Sequence, residues 1–343
     1  MTQHHDDPAD SASVGAWTRR LNRYRQASTG RSAVELAITA VPFAALWIAA
    51  WVALQHGHWW GLLLTVPAAA FLVRLFMLQH DCGHGAFFRH KPLNDWVGRL
   101  ISIATLTPYD YWRGSHAIHH ATAGDLGRRG IGDLVTLTVV EYLALPWRRR
   151  LGYRLFRHPA VIFGLGPTYV FLLGHRLPLD SMGGGWRPWL STMATNLAIA
   201  VVVGGAMWVG GVGPFLLVQL PTSLLAGSIG VWLFYVQHQF EGTFWARSPS
   251  WSLREAALRG SSHYHLPGPL GWFTGDIGLH HVHHLNSRIP FYRLRQVLRD
   301  HPELDTDRLT MAQSVRAFRL SLWDETAGRL ISFRELRASR ALG

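Results

Sequence analysis

Apolar residues crowd into four long runs, and the spacing of those runs predicts the architecture. A helix needs about 20 apolar residues to cross the hydrocarbon layer. The stretches Val34–Leu54, Trp59–Leu78, Ser191–Gly210 and Pro214–Val236 reach that length. Gln55-His56-Gly57-His58 joins the first pair and a glycine-rich turn near Gly210–Pro214 joins the second, with no formal charge in either connection. The pattern therefore predicts an all-α integral membrane protein with four transmembrane helices in two hairpins. Leu93–Leu106 and Ala160–Leu173 are too short or too interrupted to span and read as interfacial or re-entrant helices. Pro178–Pro188 and Pro249–Ser252 read as loops. The expected organisation is a polar, disordered N-terminal tail over 1–30, a membrane domain with a cytoplasmic helical cap over 31–310, and a cytoplasmic C-terminal tail over 311–343.

Charge sets the orientation. The net charge of +12 comes from arginine, with Lys91 the single lysine. Such a basic chain could suit nucleic acid, but its arginines are spread among segments between apolar runs, so no nucleic-acid partner is expected. They lie in the N-terminal segment (Arg19, Arg20, Arg23, Arg25, Arg31), the middle segment (Arg113, Arg128, Arg129, Arg148, Arg149, Arg150) and the tail. By the positive-inside rule these three segments face the cytoplasm. Cys82 is the only cysteine, which excludes an internal disulfide and any cysteine-based zinc or iron–sulfur site within one chain. A bound metal must be held by nitrogen or oxygen.

Three histidine clusters fall on the cytoplasmic side. His80-Asp81-Cys82-Gly83-His84 follows the second apolar run, His116-Ala117-Ile118-His119-His120 lies in the middle segment, and His280-His281-Val282-His283-His284 lies in the tail. On a helix, residues at offsets of zero, three and four share a face, so the two H-x-x-H-H clusters each present three imidazoles and the first presents two. His238, at the end of the fourth run, is a ninth candidate. Eight or nine imidazoles are too many for one ion; divided between two they give four or five each. His281 should point away, towards solvent or a secondary contact. His4, His5, His56 and His58 are background, and His90, His158, His175, His263, His265 and His301 have no cluster partner.

Imidazole suits zinc, copper, iron and nickel. Neither the H-E-x-x-H of zinc hydrolases nor the E-x-x-H of carboxylate-bridged di-iron bundles is present. Attack on an unfunctionalised C–H bond needs a redox metal and dioxygen, so a membrane site rich in imidazole favours iron. Asp81, Asp125, Glu241 and Asp276 could accept the free N–H of a ligating ring. Tyr109, Tyr111, Trp112, Phe240, Trp245, Trp272 and Phe273 are candidate walls of a substrate channel near the clusters, although interfacial belts of Trp and Tyr need no substrate.

These motifs resemble the membrane fatty acid desaturases, in particular bacterial acyl-lipid desaturases similar to the delta-12/omega-6 branch. Beyond the three clusters, the likeness extends to the run from His119 to Gly130, to Phe234–Trp245 (FYVQHQFEGTFW), and to Gly260-Ser261-Ser262 through GLHHVHHLNSRIP, covering roughly residues 35 to 300. The resemblance implies two iron ions, O2 as co-substrate, and electrons from an external carrier, a ferredoxin or a cytochrome b5-like protein with its reductase. It implies a membrane acyl chain as substrate, a cis double bond as product, and a bacterial inner-membrane location. Carried over, His80, His84, His116, His119, His120, His280, His283 and His284 are ligands, with His238 the additional one. His263-Tyr264 and His265 stand where relatives are expected to carry aromatic and acidic residues. A related di-iron hydroxylase or carotenoid ketolase would share the ligand logic and resolve the carbon radical differently. A metal transporter or sensor would carry its histidines along a path inside the membrane, and here they gather at one face.

Overall fold

The computed structural model describes residues 17–179 and 185–341. Among the described residues, four helices are long and apolar enough to cross a membrane: Thr29–Gln55, Trp59–Gly83, Trp186–Gly210 and Val212–His238. Helix α1 (Thr29–Gln55) is capped by Ser28, whose hydroxyl accepts the Arg31 N–H at 3.3 Å. A single 3-10 stretch, Trp59–Leu64, leads from the first hairpin turn into α2 (Thr65–Gly83). Gly57 makes that turn with φ 75°, a conformation open to glycine at no steric cost. Helices α3 (Lys91–Thr105) and α4 (Tyr109–Thr122) follow, then α5 (Val139–Ala144), α6 (Trp147–Phe156) and α7 (Gly166–Leu172). The second hairpin is α8 (Trp186–Gly210) and α9 (Val212–His238), joined by Gly211 alone. The cap is completed by α10 (Leu253–Leu258), α11 (Gly268–Phe273), α12 (His280–Leu285), α13 (Phe291–Asp300), α14 (Met311–Ala317) and α15 (Phe333–Ala341).

The architecture is helical with four spanning segments, as the apolar runs predicted, but the boundaries shift. Trp186–Pro188, expected in a loop, begins α8; positions 180–184 of that expected loop lie outside the described residues. The stretch Ala160–Leu173 is a π turn over Val161–Leu165 running into α7. Two small sheets appear in the cap: β1 (Leu137–Thr138) pairs in parallel with β4 (Leu320–Asp324), which pairs antiparallel with β5 (Arg329–Ser332), while β2 (His263–Tyr264) pairs with β3 (Arg308–Leu309). Two-residue strands carry no readable periodicity. Buried Arg157 ties this C-terminal segment to the membrane hairpin, donating to the Gln239 side chain at 3.0 Å and to the Leu320 carbonyl at 2.8 Å.

One feature the hydrophobic pattern concealed is an ion pair inside the first hairpin. Arg74 on α2 and Glu35 on α1 are both 1% exposed and 2.5 Å apart. The Arg74 guanidinium also donates to Thr39 Oγ1 at 3.1 Å and to the Trp272 carbonyl, and lies 3.8 Å from the centre of the Trp272 ring. A charge in this setting persists only with partners on every side. These partners fasten α11 of the cap to the membrane helices, immediately before the segment that leads to α12.

Candidate metal centre

Four helices deliver the nine candidate imidazoles to one end of the bundle, and the structure gathers all nine into two adjacent groups. His80, His84, His116, His120 and His283 form the first; His119, His238, His280 and His284 form the second, with the ligand atoms of each group within 4.8 Å of one another. The helical offsets explain the division. Helix α4 sends His116 and His120, one turn apart, to the first group and His119 to the second. Helix α12 sends His280 and His284 to the second and His283 to the first. The end of α2 completes the first group and the end of α9 the second.

Donor atoms converge. In the first group successive Nε2 atoms are separated by 3.3 Å (His80 to His84), 3.1 Å (His84 to His116), 3.1 Å (His116 to His120) and 3.1 Å (His120 to His283). In the second, His238 and His280 Nε2 are 3.0 Å apart. Two nitrogens each about 2.1 Å from one ion, at angles of about 90–110°, stand about 3.0–3.4 Å apart. His119 Nε2 and His284 Nε2 are buried without a hydrogen-bond partner among the described residues, a costly arrangement unless something else takes the lone pair. The residues therefore fit metal ions, and the all-imidazole donor set offers no thiolate or carboxylate.

Outer contacts fix the rings. His119 Nδ1 lies 2.5 Å from Asp133 Oδ1, with the two side chains 1% and 6% exposed. His238 Nδ1 donates to the Gly260 carbonyl at 3.0 Å. Both contacts hold the proton on Nδ1 and leave Nε2 free to ligate. Burial away from water, reinforced by neighbouring imidazoles, pushes His84, His116, His120, His280, His283 and His284 well below the usual histidine value, so these rings are neutral and ligation-ready at neutral pH.

Several expectations are corrected here. Of the four carboxylates expected to steady ligands, Asp125 instead binds the Gly127 N–H and Arg128, Asp276 binds Arg295, and Glu241 is exposed. Asp81 Oδ1 lies 3.5 Å from His80 Nδ1, while its Oδ2 accepts the Phe291 N–H at 2.7 Å and so anchors α13. Asp133, thirteen residues beyond His120 and outside any cluster, supplies the contact; nothing in local spacing marks it. His281 does not face solvent: it is fully buried, its Nε2 donates to the Leu304 carbonyl at 2.8 Å, and its ring lies 5.3 Å from that of His263.

Beside the groups runs an apolar cavity of 310 Å³ between α2, α4, α7 and α9, with His80, His116 and His280 at one end. Of the seven aromatic residues expected to line a channel, Tyr111 and Trp112 do so, joined by Phe76, Phe171 and Phe234. Tyr109 instead donates to the Cys82 carbonyl at 2.7 Å, Trp272 is covered by Arg74, Trp245 borders a small separate cavity beside His238, and Phe240 and Phe273 lie outside the channel lining.

Comparison with known proteins agrees with this geometry. The family model described as fatty acid desaturase matches residues 57–314. The chain is 42% identical to a fatty acid desaturase of Bacillus subtilis over 93% of this chain and 91% of that protein. It is 28% identical to an sn-1 acyl-lipid omega-3 desaturase (ferredoxin) of Synechocystis, covering 65% of this chain and 62% of the relative. It is 24% identical to an sn-1 oleoyl-lipid 12-desaturase of Arthrospira platensis, covering 71% and 69%. Two histidine groups, an apolar channel ending on them, and these likenesses together place the chain in the fatty acid desaturase family.

Proposed function

We propose that the protein is an acyl-lipid desaturase that introduces a cis double bond into a membrane lipid chain, with two irons held by the two histidine groups. The observation that carries this reading is the apolar channel ending on His80 and His116 of the first group and His280 of the second. Bound iron would supply the redox chemistry with O2 that removal of hydrogen from an unactivated carbon demands. The balance is two hydrogens lost from the chain, two electrons and two protons taken up, and O2 leaving as two waters. Electrons come from a separate carrier; ferredoxin is favoured because relatives bear it in their names, with a cytochrome b5-like donor as the alternative. The histidine face, both termini and the basic segments face the cytoplasm of a bacterial inner membrane, in keeping with the uncharged hairpin turns.

The chain's own residues perform the remaining tasks. Phe76, Trp112 and Phe234 keep water out of the channel and hold the acyl chain against the histidine end. Asp133 and the Gly260 carbonyl keep His119 and His238 in the ligating tautomer. The test is expression in a host with defined saturated lipids, with mass spectrometry of double-bond positions beside a His119→Ala control. New unsaturation with the native chain and none with the control is expected. Unsaturation that persists in the control would overturn the metal-site assignment, and oxygenated products would identify a hydroxylase.

A further inference from the structure

Two cavities lie end to end along α9, and three of the described residues line both. The 310 Å³ channel occupies the part of α9 from Ser223 to Gln237. A second apolar space, of 560 Å³ and open to the outside of the bundle beside exposed Leu100 and Val202, occupies the same helix from Phe215 to Leu220, farther from the histidines, and is bounded elsewhere by α1, α3 and α8. Ala104, Leu106 and Phe171 face both spaces. Ala104 is too small to close much of the gap, so the partition is made by Leu106 and Phe171.

That partition is held from behind. Arg176 donates to the Leu106 carbonyl, to the Phe171 carbonyl at 3.5 Å and to Asn196 Oδ1 on α8 at 2.8 Å, and the Asn196 amide donates back to the Arg176 carbonyl at 2.9 Å. Leu106 has φ 55°, a left-handed conformation that a leucine keeps only where its surroundings over-determine it. The guanidinium on its carbonyl is one such constraint. Phe171 is confined too: a Cβ added at Gly227 would come within 3.1 Å of its ring.

We propose that Phe171 and Leu106, with Arg176 as the positioning residue behind them, form the stop of the acyl channel and set the longest chain the enzyme converts. This rests on the desaturase reading above. A chain that reaches the stop must leave each further methylene outside the apolar channel, which weakens binding about fourfold per methylene, equivalent to about 0.8 kcal/mol. Removing the Phe171 ring joins the two cavities. Ser223 to Phe215 is eight residues, about 12 Å along the helix, so the joined space admits several additional carbons.

The experiment uses membranes from a desaturase-free host grown on saturated fatty acids of graded length, supplied with reduced ferredoxin, and reads conversion at each chain length by mass spectrometry. The native protein is expected to show an upper length limit. Phe171→Ala should raise that limit by two carbons or more while still converting shorter chains, and Phe171→Leu should raise it less. Gly227→Ala, which adds a methyl to the channel lining and crowds the Phe171 ring, should lower it. Arg176→Ala should shift the profile as Phe171→Ala does, with Arg176→Lys restoring it. Should Phe171→Ala fail to fold, the Leu variant and Gly227→Ala decide. Length profiles that coincide across active variants would overturn the stop while leaving the desaturase intact. A native protein that converts no chain would overturn the desaturase reading, and the stop with it.

Discussion

Replacing Asp133 should loosen the metal at a distance of one hydrogen bond from it. The Asp133 carboxylate meets His119 Nδ1 at 2.5 Å in a site nearly closed to water. A hydrogen bond to a charged group contributes about 1.5–3 kcal/mol, and at 1.36 kcal/mol per tenfold its complete loss in Asp133→Ala corresponds to about 13- to 160-fold in affinity. That range overlaps the roughly 10- to 100-fold typical of lost outer contacts at metal-bound histidines. Asp133→Asn keeps the shape and an acceptor oxygen but loses the charge, and charge-assisted bonds are about twice as strong as neutral ones. About half the effect, roughly 4- to 13-fold, is expected. The assay is retained iron in purified protein titrated with a chelator, beside thermal unfolding of the metal-free form. An unchanged chelator midpoint in Asp133→Ala, with His119→Ala losing metal in the same assay, would show that Asp133 does not steady a metal-binding ring.

Arg74→Ala leaves Glu35 buried with only half-exposed Arg31 beside it; a loss of about 3–5 kcal/mol is expected, with the double change Arg74→Leu, Glu35→Leu more stable than Arg74→Ala, measured by unfolding in detergent. Gly98→Ala would set a Cβ 2.2 Å from the Tyr109 ring, an overpacking expected to cost about 1–3 kcal/mol and read as a lower Tm. Acid should release the metal and weaken the fold together. The buried histidines, their pKa values lowered by burial, bind fewer protons folded than unfolded, so stability is complete above about pH 6.5 and is lost as pH falls below it. His281, pushed down to about 4 by burial, alone accounts for about 3 kcal/mol between pH 6.5 and 4, which a pH series of unfolding on metal-free native protein and a His281→Leu variant measures.

The parts of this molecule that repeat were legible in the chain. Four apolar runs are long enough to force spanning helices, and imidazoles at offsets of three and four must share a helix face. What escaped was long-range pairing. Asp133 sits in a loop that reaches α4 only through the fold, and Arg74 lies in an otherwise apolar run whose length masks a single charge. Carboxylates next to the candidate ligands in sequence proved uneven guides: Asp81 lies beside His80, whereas Asp125 and Asp276 are taken up by arginines three and nineteen residues away. The partition at Leu106 and Phe171 joins segments that no local pattern connects.

Five imidazoles in one group and four in the other could each hold an ion, and counting iron tests whether they do. Purified protein loaded anaerobically with ferrous iron and freed of excess should carry two irons per chain by elemental analysis, falling towards one in a His238→Ala, His280→Ala double variant whose fold is intact. One iron or none in the native chain, or two retained in that variant, would rule out two histidine-held metal sites.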